Sequence, residues 1–107
     1  MTVLFTRTAS AWLLASGLLL ASCSQKPEAC FTIEKGQPSA KINDEVEVNA
    51  ACSTDADEYV WEFGDGSSTT GAKAKHKYNA AGQFTIKLTA KNDSKESTTS
   101  KQVTIVP

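Results

Sequence analysis

The distribution of charge divides the chain into two parts of very different size. Residues 1–22 contain one charged side chain, Arg7, and no acidic one, whereas all twelve Asp and Glu lie from Cys23 onward. The part that can fold in water is therefore about 85 residues long, which suffices for one small domain. A core of that size benefits from a covalent cross-link.

The charge of this folding part excludes one class of partner. Ten of the eleven basic residues and all twelve acidic residues lie in it, so its formal net charge is -2. A surface that binds phosphate backbones needs an excess of Lys and Arg. The sequence therefore predicts no nucleic-acid partner.

Residues 1–22 have the layout of a secretory signal. Arg7 precedes an apolar stretch over residues 9–20, which is too short to span a bilayer. Residues 20–23, Leu-Ala-Ser-Cys, resemble the lipobox of bacterial lipoproteins. The resemblance implies that residues 1–22 are removed as a lipoprotein signal peptide, and that Cys23 carries acyl chains such as palmitate, which together anchor stably. The alternative is an ordinary cleavable signal that leaves Cys23 as a disulfide partner.

Two cysteines remain once Cys23 is assigned to a lipid. In an oxidising compartment we expect Cys30 and Cys52 to form a disulfide, with two free thiols, or metal ligands that no further motif supports, as the alternatives. A simple hairpin that pairs residues 30 and 52 would place Phe31 on the face opposite to Val46. The bridge therefore requires a bulge or a bent strand end.

The mature chain is predicted to comprise the lipidated cysteine with a short polar tether, residues 23–28, and one domain, residues 29–107. Apolar and polar side chains alternate with a period of two in the domain, and turn residues separate the alternating stretches. Strands are expected around residues 31–33, 46–50, 59–63, 73–78, 84–91 and 103–105. This pattern predicts an all-β, immunoglobulin-like β-sandwich of about seven strands.

Three blocks of residues resemble the polycystic kidney disease (PKD) domain. They are Tyr-Val-Trp-Glu-Phe-Gly-Asp-Gly at 59–66, His-Lys-Tyr at 76–78, and the strand that runs from Gly82 to Asn92. Glu62 departs from the Asp that is usual in the family. The resemblance implies a PKD-type β-sandwich and a non-catalytic binding role. The motif residues, to which we assign structural roles, are Trp61, Phe63, Gly64, Asp65, Gly66, His76, Tyr78 and Gly82.

The chemistry of these residues also favours a structural role. Gly64 and Gly66 allow positive φ, and Asp65 between them can accept a hydrogen bond from the backbone. His76 and Tyr78 share a face of one strand, where a histidine is more typical of a core edge than of an active site. No nucleophile signature accompanies His76. We therefore predict that the chain is not an enzyme and has no catalytic residues.

Two other features allow binding hypotheses. Asp55, Asp57 and Glu58 begin like a calcium loop but lack its Gly and its terminal Glu, so they are weak calcium candidates beside a solvated turn, and no cofactor is predicted. Lys73 and Lys77, with Lys75 between them, form a basic stripe. The stripe either contacts an acidic glycan or protein, or protects a sheet edge.

The sequence thus predicts a protein-binding or polysaccharide-binding adhesion module. Its lipid anchor would hold it in the outer membrane, at the periplasmic face or the cell surface. The expected partners are the membrane itself and an envelope protein or an extracellular polysaccharide. A structural spacer of an envelope complex is the alternative, and a calcium-stabilised accessory domain of a secreted hydrolase system is a weaker one.

Overall fold

Eight β-strands account for most of residues 25–107, the part of the chain that the computed structural model describes. The strands are β1 (Thr32–Lys35), β2 (Ala40–Lys41), β3 (Glu45–Asn49), β4 (Glu58–Glu62), β5 (Ser68–Thr70), β6 (Lys73–Lys77), β7 (Gly82–Lys91) and β8 (Glu96–Val106). The described residues contain no helix with the length and hydropathy needed to cross a bilayer. The predicted signal peptide and Cys23 lie outside the described residues.

The strands form two sheets, which confirms the predicted all-β sandwich. One sheet has five strands in the order β2-β8-β7-β4-β5, and the other has three in the order β1-β3-β6. The longest pairing joins β7 to β8 antiparallel, from Gly82 opposite Ile105 to Lys91 opposite Glu96. The strands run along the long direction of the sandwich, so the turns that connect them lie at its two ends.

The core lies between the two sheets and follows the alternation of the sequence. On β7 the buried side chains of Ile86, Leu88 and Ala90 alternate with side chains on the outer face, such as the exposed Lys87. Trp61 on β4 is 0% exposed, and its indole N–H donates to the Gly71 carbonyl at 2.7 Å. Buried aromatic groups of this size contribute much of the free energy of a small core.

Two strands, β2 and β5, were not predicted. β2 has two residues, and all three residues of β5 are exposed. Neither strand therefore has the apolar period that identifies a strand in sequence. The lysine stripe lies on β6, an edge strand of the three-stranded sheet, and Lys75 Nζ is 3.9 Å from Glu45 Oε1. This position fits the edge-protecting role of the stripe.

The predicted disulfide between Cys30 and Cys52 is confirmed, and the two Cα atoms are 5.3 Å apart. The bend that it requires lies just beyond β3, where the chain turns and the Ser53 N–H donates to the Ala50 carbonyl at 2.9 Å. β1 also has an irregularity between Ile33 and Lys35. The bridge therefore joins the segment before β1 to the turn after β3.

Removal of the disulfide should lower the free energy of unfolding. The bridge closes a loop between residues separated by 22 positions, for which the chain-entropy relation gives about 3 kcal/mol. We expect a Cys30→Ser, Cys52→Ser double variant to lose about that amount in urea unfolding followed by Trp61 fluorescence. Reduced wild-type protein is the control and should unfold at the same urea concentration as the variant. An unchanged midpoint would contradict the prediction.

Candidate functional site

Four of the motif residues meet at one end of the sandwich. Phe63 follows β4, Asp65 lies in the turn before β5, His76 belongs to β6, and Tyr78 follows β6. We call these four residues the motif cluster and the end that holds them the motif end. Because β4 and β6 belong to different sheets, the cluster joins the two layers.

The contacts within the motif cluster are short and specific. His76 Nε2 is 2.7 Å from Asp65 Oδ2, and the imidazole stacks on the Phe63 ring at 4.4 Å between centroids. The Tyr78 ring meets His76 edge to face at 4.7 Å and stacks on Phe84 at 4.5 Å. The buried Tyr78 hydroxyl donates to the Phe63 carbonyl at 2.7 Å. These contacts fasten the loop after β4 to the strand β6.

The turn that carries Asp65 depends on two glycines. Gly64 and Gly66 have φ of 84° and 92°, a region that L-residues rarely adopt. A Cβ on Gly64 would lie 2.7 Å from the Thr85 carbonyl oxygen. Asp65 Oδ1 accepts a hydrogen bond from the Ser67 N–H at 3.1 Å. The turn thus holds one carboxylate oxygen while His76 contacts the other.

The electrostatics of the cluster favour a charged Asp65 and a neutral Tyr78. Partial burial acts to raise the pKa of Asp65, but hydrogen bonds from His76 and Ser67 and the charge of His76 outweigh it, so the pKa lies below the ordinary 3.8. Burial, with a smaller contribution from the Asp65 charge, raises the pKa of Tyr78. Tyr78 therefore remains a hydrogen-bond donor at any physiological pH.

The two other motif residues lie outside the cluster. Trp61 belongs to the core, where it packs edge to face on Phe31 with ring centroids 5.1 Å apart. Gly82 begins β7 with a φ of 142° and lies opposite Ile105. Both residues serve the packing and the path of the strands rather than a chemical site.

The motif cluster offers no nucleophile for the His76 imidazole. In the part of the chain that the structure describes, the hydrogen-bond partner of His76 is Asp65, and no Ser, Thr or Cys side chain bonds to it. Nucleophilic catalysis needs a hydroxyl or thiol within hydrogen-bond reach of its base. What the arrangement does is hold the two sheets together.

The structure does not bring the calcium candidates together as a metal site. Asp55 has a φ of 59°, the Asp57 N–H donates to the Lys91 carbonyl at 2.7 Å, and Glu58 begins β4. All three are exposed. No group of three or more His, Cys, Asp or Glu side chains within residues 25–107 could hold a metal ion.

A shallow groove lies on the outer face of the five-stranded sheet. It has a volume of about 560 Å³ and is bordered by β4, β5, β7 and the Gly64–Gly66 turn. Lys87 Nζ and Glu62 Oε2 approach to 3.7 Å within it, and Ser68 and Thr85 supply hydroxyl groups. Sequence analysis did not identify this groove, because its residues come from three strands.

Sequence analysis also missed the contacts of residues 25–29. Glu28 and Thr54 exchange two backbone hydrogen bonds of 3.0 and 3.1 Å, and the Ala29 N–H donates to Ser97 Oγ at 2.8 Å. Asn92 Nδ2 donates to the Gln25 carbonyl at 2.6 Å and to the Asp55 carbonyl at 3.0 Å. We call the end of the sandwich that holds these contacts the tether end. It lies opposite the motif end, since β7 begins at one and finishes at the other.

Comparison with known proteins gives matches over nearly the whole described chain. Residues 26–106 match the family described as the PKD domain. The chain is 34% identical over 88 residues to collagenase ColA of Clostridium perfringens (78% of this chain, 8% of the collagenase). It is 42% identical over 48 residues to collagenase ColA of Bacillus cereus (44% and 5%). The chain thus spans less than a tenth of either collagenase.

Solved structures show the same fold. A structure that explains the promiscuous specificity of carbohydrate-binding modules from the β-sandwich superfamily has a TM-score of 0.71 at 27% identity, covering 78% of this chain and 36% of that one. The PKD1 domain of Vibrio anguillarum Epp has a TM-score of 0.63 at 27% identity (78% and 99%). The PKD1 domain of the Vibrio cholerae metalloprotease PrtV has a TM-score of 0.61 at 24% identity (76% and 98%).

The two glycines of the turn should differ in their tolerance of alanine. Both have positive φ, which costs an L-residue about 1–2 kcal/mol, but only at Gly64 does the added Cβ meet a backbone atom within 4 Å. We expect Gly66→Ala to lower the free energy of unfolding by about 1 kcal/mol and Gly64→Ala by about 2 kcal/mol or more. Urea unfolding of both variants checks this, and equal losses would contradict the close approach to Thr85.

Asp65 should make the stability of the domain depend on pH. Its pKa is lower in the folded chain than the ordinary 3.8, so its contribution is present above about pH 4 and is lost as the pH falls through the folded pKa. We expect the wild type to be more stable than Asp65→Asn at pH 6, and the difference to shrink toward pH 2. Urea unfolding across this range measures it. Asp93→Asn, the same change at an exposed turn, should keep the wild-type profile.

Proposed function

We propose, from the premise that this chain belongs to the PKD domain family, that it is a non-catalytic binding module of the bacterial cell envelope. A lipid on Cys23 would hold it in the outer membrane, and its partner would be an extracellular polysaccharide or an envelope protein. The observation that carries the binding role is the likeness of the sandwich to carbohydrate-binding modules. The likeness covers 78% of this chain and 36% of the solved one, so the binding of carbohydrate comes to this chain as a proposal.

The collagenase relatives support an accessory role. The segment they share with this chain is a small part of each collagenase. The catalytic machinery of those enzymes therefore does not transfer to this chain. The motif cluster agrees with this, because its imidazole is engaged by a carboxylate and two aromatic rings.

The two outer faces of the sandwich differ in chemistry. On the three-stranded sheet, Glu45 and Glu47 of β3 lie opposite Lys77 and Lys75 of β6, so that face is charged. On the five-stranded sheet, exposed hydroxyl and amide side chains predominate on β7 and β8. They include Gln83, Thr85, Thr98, Ser100 and Gln102.

The five-stranded sheet is the better surface for a polymer. Hydroxyl and amide groups both donate and accept hydrogen bonds, so they suit a ligand such as a sugar chain that does the same. The groove beside Glu62 and Lys87 adds the concavity of a binding site. We assign the ligand to this face, with the groove as its centre.

A pair of matched variants tests this assignment. The test variant, Glu62→Ala with Lys87→Ala, removes the charged pair in the groove, and the control, Glu47→Ala with Lys75→Ala, removes a charged pair of the other sheet. Glycan arrays and crosslinking pull-downs from whole cells identify the ligand. We then expect the test variant to bind it at least about tenfold more weakly, which is a change of about 1.4 kcal/mol, and the control to bind as the wild type does.

Other outcomes would decide against the proposal or part of it. Capture of a single envelope protein with no glycan retained would exclude a polysaccharide as the ligand. Equal losses of affinity in the test and control variants would exclude the groove as the binding site. If the captured partners are all neighbouring subunits of one complex, the result would favour the structural spacer instead.

A further inference from the structure

The contacts of the tether end begin unusually close to the residue that would carry the lipid. The Gln25 carbonyl already accepts a hydrogen bond of 2.6 Å from Asn92 Nδ2. Pro27 is buried, and Glu28 forms a β-bridge with Thr54. The segment assigned to a tether thus lies against the sandwich.

The length of chain left over is very small. Gln25 follows Cys23 by two residues, and two residues of fully extended chain span about 7 Å. A flexible linker long enough to let a domain turn freely needs many more residues, since its reach grows only as the square root of its length. A lipid on Cys23 would therefore place Gln25 within about 7 Å of the lipid attachment point.

Further bonds prevent the segment from separating from the domain. The Cys30 N–H donates to Ser53 Oγ at 2.9 Å, and the Ser53 hydroxyl donates to the Cys30 carbonyl at 2.7 Å. The Cys30–Cys52 disulfide links the same two segments covalently. Loss of the Glu28–Thr54 bridge would consequently free only the residues before Cys30.

We infer that the domain stands on the bilayer in one orientation, with its tether end against the lipid headgroups and its motif end directed away. This inference rests on the lipid at Cys23 that the proposed function includes. β7 has ten residues between the two ends, so the motif end lies about 30 Å farther from the bilayer than the tether end. The Gly64–Gly66 border of the groove lies at that distal end.

The charges of the tether end indicate that the chain connection, and not attraction to lipid, sets this orientation. The carboxylates at this end outnumber its lysines, so an anionic bilayer would repel this end on balance. The carboxylates are Glu28, Asp55, Asp57, Glu58, Asp93 and Glu96, and the lysines are Lys26, Lys91 and Lys95. Electrostatic contacts weaken as salt shortens the screening length from about 10 Å at 0.1 M to about 3 Å at 1 M. An orientation set by the chain connection is therefore the same at both salt concentrations.

The experiment uses the full chain, expressed with its signal and reconstituted in phosphatidylcholine vesicles. Ser94→Cys places a fluorophore at a turn of the tether end, and Ala80→Cys places the same fluorophore at a turn of the motif end. Lipids with a nitroxide on the headgroup serve as quenchers. We expect at least about threefold more quenching at position 94 than at position 80, because the two ends are about 30 Å apart. The ratio should be unchanged at high salt and in vesicles that contain phosphatidylglycerol.

An insertion separates the orientation from other causes. Twelve Gly and Ser residues between Ser24 and Gln25 should bring the two quenching values together, whereas the same insertion after Pro107 should leave them apart. Mass spectrometry of each sample determines whether Cys23 is acylated. Equal quenching in an acylated, uninserted protein would overturn the orientation alone, and a protein without acyl groups would overturn the anchor and the orientation together.

Discussion

The burial of Trp61 between the two sheets is the contact on which the rest of this small sandwich depends. Its side chain is 0% exposed, lies edge to face on Phe31 of the opposite layer, and is the single tryptophan within residues 25–107. Because side chains alternate along a strand, a shift of β4 by one residue would turn Trp61 out to water. Trp61 therefore fixes the register of β4 against β7, where it lies opposite Leu88. That register in turn places Phe63 and the turn after it at the motif end.

The residues that define the PKD resemblance have structural roles. Trp61 and Phe63 fill the space between the sheets, the glycines permit positive φ, and the others tie a loop to the opposite layer, as the Tyr78 hydroxyl does at the Phe63 carbonyl. Asp65 and His76 are polar, yet their hydrogen bonds are made to each other and to the turn. Such residues define a scaffold, and a scaffold does not by itself determine what its exposed faces bind.

The sequence predicted the parts of the fold that repeat a local pattern. Alternation along β7 is visible in a short window, and two cysteines remain once Cys23 is assigned to a lipid, so the sandwich and the disulfide could be predicted. β5 could not, because it is short, polar and exposed. The contacts of Asn92 with Gln25 and of Ser97 with Ala29 join residues 67 and 68 positions apart, and no local pattern encodes such pairs. Asp55, Asp57 and Glu58, the weak calcium candidates, are close in sequence, yet within the described residues they do not form a metal site.

The lysine-bearing edge strand β6 has a consequence for the lipid-anchored protein that we propose. Molecules confined to two dimensions and standing upright meet one another side-on, and the sides of an upright sandwich are its sheet edges. An unprotected edge would extend its hydrogen-bond ladder into the next copy, and crowding would drive such pairing toward continuous ribbons. Three positive charges on β6 make two such edges repel each other. The β6 edges of neighbouring anchored copies would then not pair with each other.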